Sequence, residues 1–263
     1  MFTGRLGLAL LLAAFLPGAI HAQQQAPREI VEQAVDAHGG ELWLSPGTLR
    51  LRGHAEFYSP GGTQPRSSAD DYRMWRVMGS ERDSAHGADG KVRISARSGS
   101  TTIFEVGFNG ETTWTNNGIM PKAEADAYWA SNFGFGIIRS ALNEGFKLES
   151  APPRDVEGAP VDLVRIIDPT GQITLFGFDQ DSRFIRYMGF RTPRGWHERT
   201  YSDFIKLPES GWVQARSVKL YYDGVLSNTV FWEETIVGEP LSNDLFDPPF
   251  ARHGLETDND TGD

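Results

Sequence analysis

Gly211-Trp212-Val213-Gln214-Ala215-Arg216-Ser217-Val218-Lys219-Leu220-Tyr221-Tyr222 reads as a β-strand, Asp223-Gly224 as a two-residue turn, and residues 225–237 as a second strand running back. Asp-Gly between two such runs is a strong hairpin signal, because a type I′ turn needs positive φ at both central residues. The chain continues into Asn243-Asp244-Leu245-Phe246-Asp247-Pro248-Pro249, an apolar plug closed by two prolines. Long antiparallel strands that bury one face imply a large curved sheet, and most other segments look like strands of the same sheet.

Composition bounds the rest. At 263 residues the chain suits one large all-β domain as well as two smaller ones, and its 39% apolar residues, with 16 Phe and 7 Trp, supply an aromatic core. Arg5 followed by the apolar run at residues 6–16, the Pro17-Gly18 break and Ile20-His21-Ala22 predict a cleaved export signal over residues 1–22. That run is too short for a bilayer span, which needs about 20 residues. The expectation is an exported, periplasmic, soluble monomer. The absence of cysteine excludes a thiolate zinc site, a thiol nucleophile and a lipidated cysteine. A net charge of −10, lowered by one when the signal leaves, argues against nucleic acid as a partner.

Residues 23–253 are expected to form one domain, with residues 254–263 a disordered acidic tail. Its opening helix places Ile30, Val31, Ala34, Val35 and His38 on one face and stops at Gly39-Gly40. Residues 48–58 alternate cleanly, with Leu49, Leu51, Gly53, Ala55 and Phe57 on one side. Further strands are read at 72–78, 91–97, 101–108, 112–115, 161–167, 172–178, 183–191 and 196–205, giving about ten or eleven with the last hairpin. Residues 122–144 interrupt them as helix in two pieces, divided at Phe133-Gly134-Phe135-Gly136, because two glycines weaken a helix by about 1 kcal/mol each.

Three stretches resemble the bacterial lipoprotein-carrier-like family typified by LolA and LolB, a fold shared by the lipid-sensing domain of periplasmic stress regulators. They are the opening Ile30-Val31-Glu32-Gln33-Ala34-Val35-Asp36-Ala37-His38-Gly39-Gly40, the hairpin at 172–190 with its Phe178-Asp179-Gln180-Asp181-Ser182 turn, and the C-terminal part. The last comprises Tyr201-Ser202-Asp203-Phe204, Leu207-Pro208, the last hairpin and Leu245-Phe246-Asp247-Pro248-Pro249. The resemblance implies an all-β dominated (α+β) architecture: an incomplete antiparallel β-barrel of about eleven strands with helices covering its concave face. It also implies binding of acyl chains or other apolar ligands between sheet and helices, without implying lipoprotein carriage, and it supplies no catalytic signature; the expected ligand is a lipid or lipoprotein acyl chain.

The candidate site is therefore an apolar cavity. Its expected walls are Leu51, Phe57, Trp75, Val77, Ile94, Phe104, Phe108 and Trp114; its lid is Trp129, Phe133, Phe135 and Ile138, hinged at Gly134 and Gly136. The alternative is that helix and sheet pack fully on each other and leave a dry core. The histidines His38, His54, His86, His197 and His253 have no metal-ligand spacing, and His54 with Glu56 reads as part of a solvent face. No nucleophile elbow, phosphate loop, dinucleotide fingerprint or zinc-protease motif occurs, so neither catalysis nor a cofactor is expected. An envelope sensor or protein-interaction module, with an envelope protein as partner, is the alternative on the same fold. A lipid-ester hydrolase ranks below both.

Overall fold

In the computed structural model, residues 25–79, 84, 87, 89–132 and 134–249 are described. The expected signal, Phe133, His86, His253 and the acidic tail lie outside the described residues. Thirteen strands form one antiparallel sheet. Its first half comprises β1 (Thr48–Tyr58), β2 (Pro65–Val77), β3 (Lys91–Ser98), β4 (Thr101–Phe108), β5 (Thr113–Thr115) and β6 (Gly118–Ile119). The second comprises β7 (Lys147–Val156), β8 (Ala159–Ile167), β9 (Ile173–Asp179), β10 (Ile185–Thr192), β11 (Gly195–Lys206), β12 (Val213–Tyr222) and β13 (Val225–Val237). Each half is a meander of sequential neighbours, and the halves join where β1 pairs with β13.

The free edges are β6 and β7, and these are consecutive in sequence. The segment between them must therefore carry the chain from one edge of the sheet to the other. It does so as the helix Lys122–Asn132 and the 3₁₀ helix Phe135–Ser140, the two pieces expected from the glycine interruption. A sheet of this many strands twists and curls, so a chain joining its edges covers the concave side. The barrel stays incomplete, as expected, with two more strands than the sequence reading gave. The additions are β6, only two residues long, and β7, which contains Pro152 and Pro153. Prolines break a central strand, but β7 is an edge, and its register shifts between Ala151 and Arg154, across the two prolines.

The last hairpin forms as read. Asp223 (φ 47°) and Gly224 (φ 77°) both have positive φ, the type I′ requirement. Gly224→Val is expected to destabilise the protein by about 1 to 2 kcal/mol, the cost of the left-handed region for a β-branched residue. A urea midpoint unchanged from wild type would mean that the turn relaxes into another type.

The first helix, α1 (Pro27–His38), buries Ile30, Val31, Ala34, Val35 and His38, the face its periodicity marks. Arg183 fixes its outer side: Nε donates to Gln33, Nη2 to Gln25, and Nη1 pairs with Asp162 of β8 at 2.7 Å. A short α2 (Glu41–Leu44) follows and buries Trp43. The helix Lys122–Asn132, α3, packs Ala125 and Trp129 onto Val92, Ile94 and Val106 of β3 and β4. The closing plug lies on the other, convex face. Phe246 is fully buried there, Trp114 Nε1 donates to its carbonyl at 2.7 Å, and Arg93 donates to the carbonyl of Leu245.

Candidate functional site

Strand register decides which side chains face inward. Leu51 of β1 lies opposite Met74 of β2, and Met74 opposite Ile94 of β3, so these three share the concave face with Leu49, Phe57 and Tyr72. On the far side of the β1–β13 seam, Tyr201 and Phe204 of β11, Val218 and Leu220 of β12, and Val230 and Trp232 of β13 complete the floor. The 3₁₀ segment forms the roof, through Phe135, Gly136 and Arg139. Between floor and roof lies a cavity of about 330 Å³, within the size range of small-molecule sites.

Roof and α2 are locked together by one side chain. Arg139 stacks over the Trp43 ring at 4.7 Å, and its Nε donates to the Trp43 carbonyl at 2.8 Å. Phe135 reaches down between Trp43, Phe176 and Tyr201, with ring centroids 5.2–6.5 Å away. Gly134 lets the chain pass close to β10: a Cβ there would sit 2.6 Å from the Phe190 ring. That is a packing reason for the glycine, beside the hinge expected from the sequence.

Of the expected walls, Leu51, Phe57, Ile94 and Phe104 line the cavity, as do Phe135 and Gly136 of the expected lid. Trp75, Val77 and Trp114 do not. Trp75 pairs with Arg93, Val77 with Lys91 and Trp114 with Gly107, positions on the convex face. There Arg93 sits 5.7 Å from the Trp75 ring and 5.5 Å from the Trp114 ring. Phe108 faces inward but is covered by Trp129, 6.1 Å away. Trp129 in turn is buried, with its Nε1 donating to Thr113, and Ile138 is buried in the main core. Gly134 stands behind the roof and does not line the space.

The sequence reading missed the polar part of the lining. Arg199 of β11 and Arg194 in the turn before it, Asn132 and Tyr128 of α3, and Tyr222 of β12 all face this cavity. Arg199 Nη2 donates to the Asn132 carbonyl at 2.6 Å, and its Nε to His197 Nε2 at 3.1 Å. Burial, helped by Arg199, pushes the His197 pKa down to about 2, so the ring is neutral. Burial likewise pushes Tyr72 and Tyr201 up to about 12. Only the every-second-residue placement of Arg199, Tyr201 and His197 on β11 could have signalled this cluster.

Among the described residues no group of His, Asp or Glu is arranged to hold a metal, and no helix is long and apolar enough to cross a membrane. His54 sits on the convex face, paired with Glu233 at 2.8 Å.

No family model matches the chain, and no curated protein does. Solved structures do. A domain from Vibrio parahaemolyticus, described as an outer membrane lipoprotein-sorting protein domain, superposes with a TM-score of 0.50 over 88% of this chain and 98% of its own, at 10% identity. A DUF1329 family protein from Desulfovibrio piger gives 0.53 over 84% and 97%, also at 10% identity. A LolA superfamily protein from Nitrosomonas europaea gives 0.51 over 86% and 100%, again at 10%. The chain has the LolA/LolB-like fold.

Proposed function

We propose that this protein is an exported carrier that takes a lipid or lipoprotein acyl chain into the cavity, for transport or sorting in the cell envelope, with no chemistry on the ligand. The observation that carries the reading is the cavity itself: an aromatic and aliphatic floor under a separate roof segment, on a fold seen in a lipoprotein-sorting domain. Apolar wall exposed to water costs about 25 cal/mol per Å². A chain that covers a few hundred Å² therefore gains affinity without specific polar contacts. Residues 23–253 act as one binding unit after removal of the signal, and the roof between Gly134 and Arg139 opens by releasing the Arg139–Trp43 contact to admit the ligand. Leu51, Phe57, Ile94, Phe104 and Phe135 contact the chain.

Native mass spectrometry of protein purified from periplasm without detergent tests this. The expected result is a bound lipid mass that disappears on solvent extraction and returns on adding lipid. Val218→Trp, which fills the cavity from β12, should lower the bound fraction by about tenfold, roughly 1.4 kcal/mol, with the melting temperature held. A bare protein mass, together with no uptake of added lipid, would overturn the reading.

A further inference from the structure

The cavity is not apolar throughout. Arg199 lies among the hydroxyls of Tyr72, Tyr128, Tyr201 and Tyr222, and its charge acts on all four. Arg194 stands at the exposed rim, its guanidinium 4.4 Å from the Tyr222 ring. Among the described residues neither arginine is paired with a carboxylate; Arg199 donates to a backbone carbonyl and a neutral imidazole and lies against the Tyr201 hydroxyl, all of them neutral groups. A guanidinium has five donors and is always charged, and no carboxylate among the described residues offsets the charge of the part-buried Arg199.

A second observation points the same way. Tyr201 is 8% exposed and lines the cavity; Arg199 stands near enough to act on its hydroxyl, which completes no hydrogen bond of good geometry among the described residues. A buried hydroxyl left unmatched costs about 1 to 3 kcal/mol, which a ligand oxygen would recover. Beyond this cluster the lining runs through Leu51, Met74 and Ile94, and its other arginines are engaged, Arg76 with Asp89 and Arg139 with the Trp43 carbonyl.

We propose that the cavity selects an anionic amphiphile: a carboxylate or phosphate head held by Arg199, Arg194 and the Tyr201 hydroxyl, with an alkyl tail along the apolar floor. This rests on the carrier reading above and adds the head group to it. Guanidinium recognises both oxyanions through paired N–H donors, and the bond to a charged acceptor is about twice as strong as a neutral one.

The test is titration of the mature protein with dodecanoate, dodecyl phosphate, dodecanol and inorganic phosphate, each below its aggregation concentration. One or both charged amphiphiles should bind at least about tenfold tighter than dodecanol, as a charge-assisted bond implies, and inorganic phosphate should show no saturable binding. Arg199→Gln should remove most of that preference. Because Arg199 also holds the Asn132 carbonyl, Tyr201→Phe provides the independent check. It deletes only the unmatched hydroxyl, so stability should hold or rise while affinity for the charged amphiphile falls. Equal affinity for dodecanol and both charged amphiphiles would overturn the head-group site and leave the carrier reading standing. Failure to bind any of the three alkyl probes would overturn both. Tight binding of inorganic phosphate alone would show an anion site without a tail site, and overturn the amphiphile.

Discussion

Acidification from pH 7 to about pH 4.5 is expected to remove about 5 kcal/mol of unfolding free energy, a large share of a typical domain's 5 to 15 kcal/mol, through two buried histidines. His38 ends α1 on its buried face, with Nδ1 2.8 Å from the Ala34 carbonyl and Nε2 3.4 Å from the Ile185 amide nitrogen. The ring therefore donates from Nδ1 and accepts at Nε2. A proton on Nε2 would face an N–H, and Arg139 opposes the charge from the roof. Burial is the larger cause, and together they hold the pKa down to about 4. His197 accepts from Arg199 through Nε2 and is held down to about 2. The unfolded value is about 6.5, so both folded values are depressed. Their contribution is complete above pH 6.5 and is lost as the pH falls below it, at about 2 to 3 kcal/mol each by pH 4.5. Two carboxylates act only lower down, below about pH 4: Asp71, held down by Arg73, and Asp179, where burial is outweighed by the Ser182 amide and Arg186. Urea unfolding at intervals between these pH values should show stability rising with pH at a slope of up to two protons. His197→Phe, which keeps a ring against Phe190, should reduce the slope by one. A wild-type profile flat across this window would mean that both histidines are charged in the fold.

The sheet was legible because its strands alternate, and alternation follows from burying one face. The α1 face and the last hairpin were read from short-range rules, 3.6-residue periodicity and Asp-Gly, which tertiary contacts did not override. What escaped were the elements whose signal depends on neighbours. β7 carries two prolines that only an edge position allows, and β6 is two residues long, below any periodic signal. β2 begins at Pro65, in a polar stretch of exposed residues where no buried face marks the strand.

The candidate cavity was legible in kind and only partly in membership. In β2 the aromatic Trp75 and β-branched Val77 looked like the inward face, yet Met74 and Tyr72 face inward. The choice is set by pairing of Leu51 with Met74, a long-range register that a one-residue slip would invert. Trp114 was misplaced for the same reason: it stands opposite Gly107, on the side where the C-terminal plug packs. The polar end is built from α3, β11 and β12, far apart in sequence, so no local spacing announces it.

Gly53→Ala is expected to destabilise the protein by about 3 kcal/mol or more, the upper range for overpacking against backbone that cannot move. Gly53 lies in β1, the strand at which the two halves of the sheet meet, and the register shifts there toward both neighbours. The resulting bulge brings the chain so close to β13 that a Cβ would lie 1.8 Å from the Phe231 carbonyl oxygen and 2.8 Å from its carbon. Those atoms belong to the ladder, so relief requires β1 and β13 to part. Gly53 pairs with Tyr72 on one side and Trp232 on the other, and with no side chain between them these rings approach to 5.4 Å. Both rings line the cavity. The substitution should therefore loosen the seam and spread the floor beneath Arg199, lowering affinity for an alkyl ligand in whatever fraction still folds. Gly87→Ala, where the added methyl meets nothing within 4 Å among the described residues, is the control and should stay within about 0.5 kcal/mol. Equal urea midpoints for the two variants would show that the β1–β13 seam yields, and that the bulge does not hold the two halves in register.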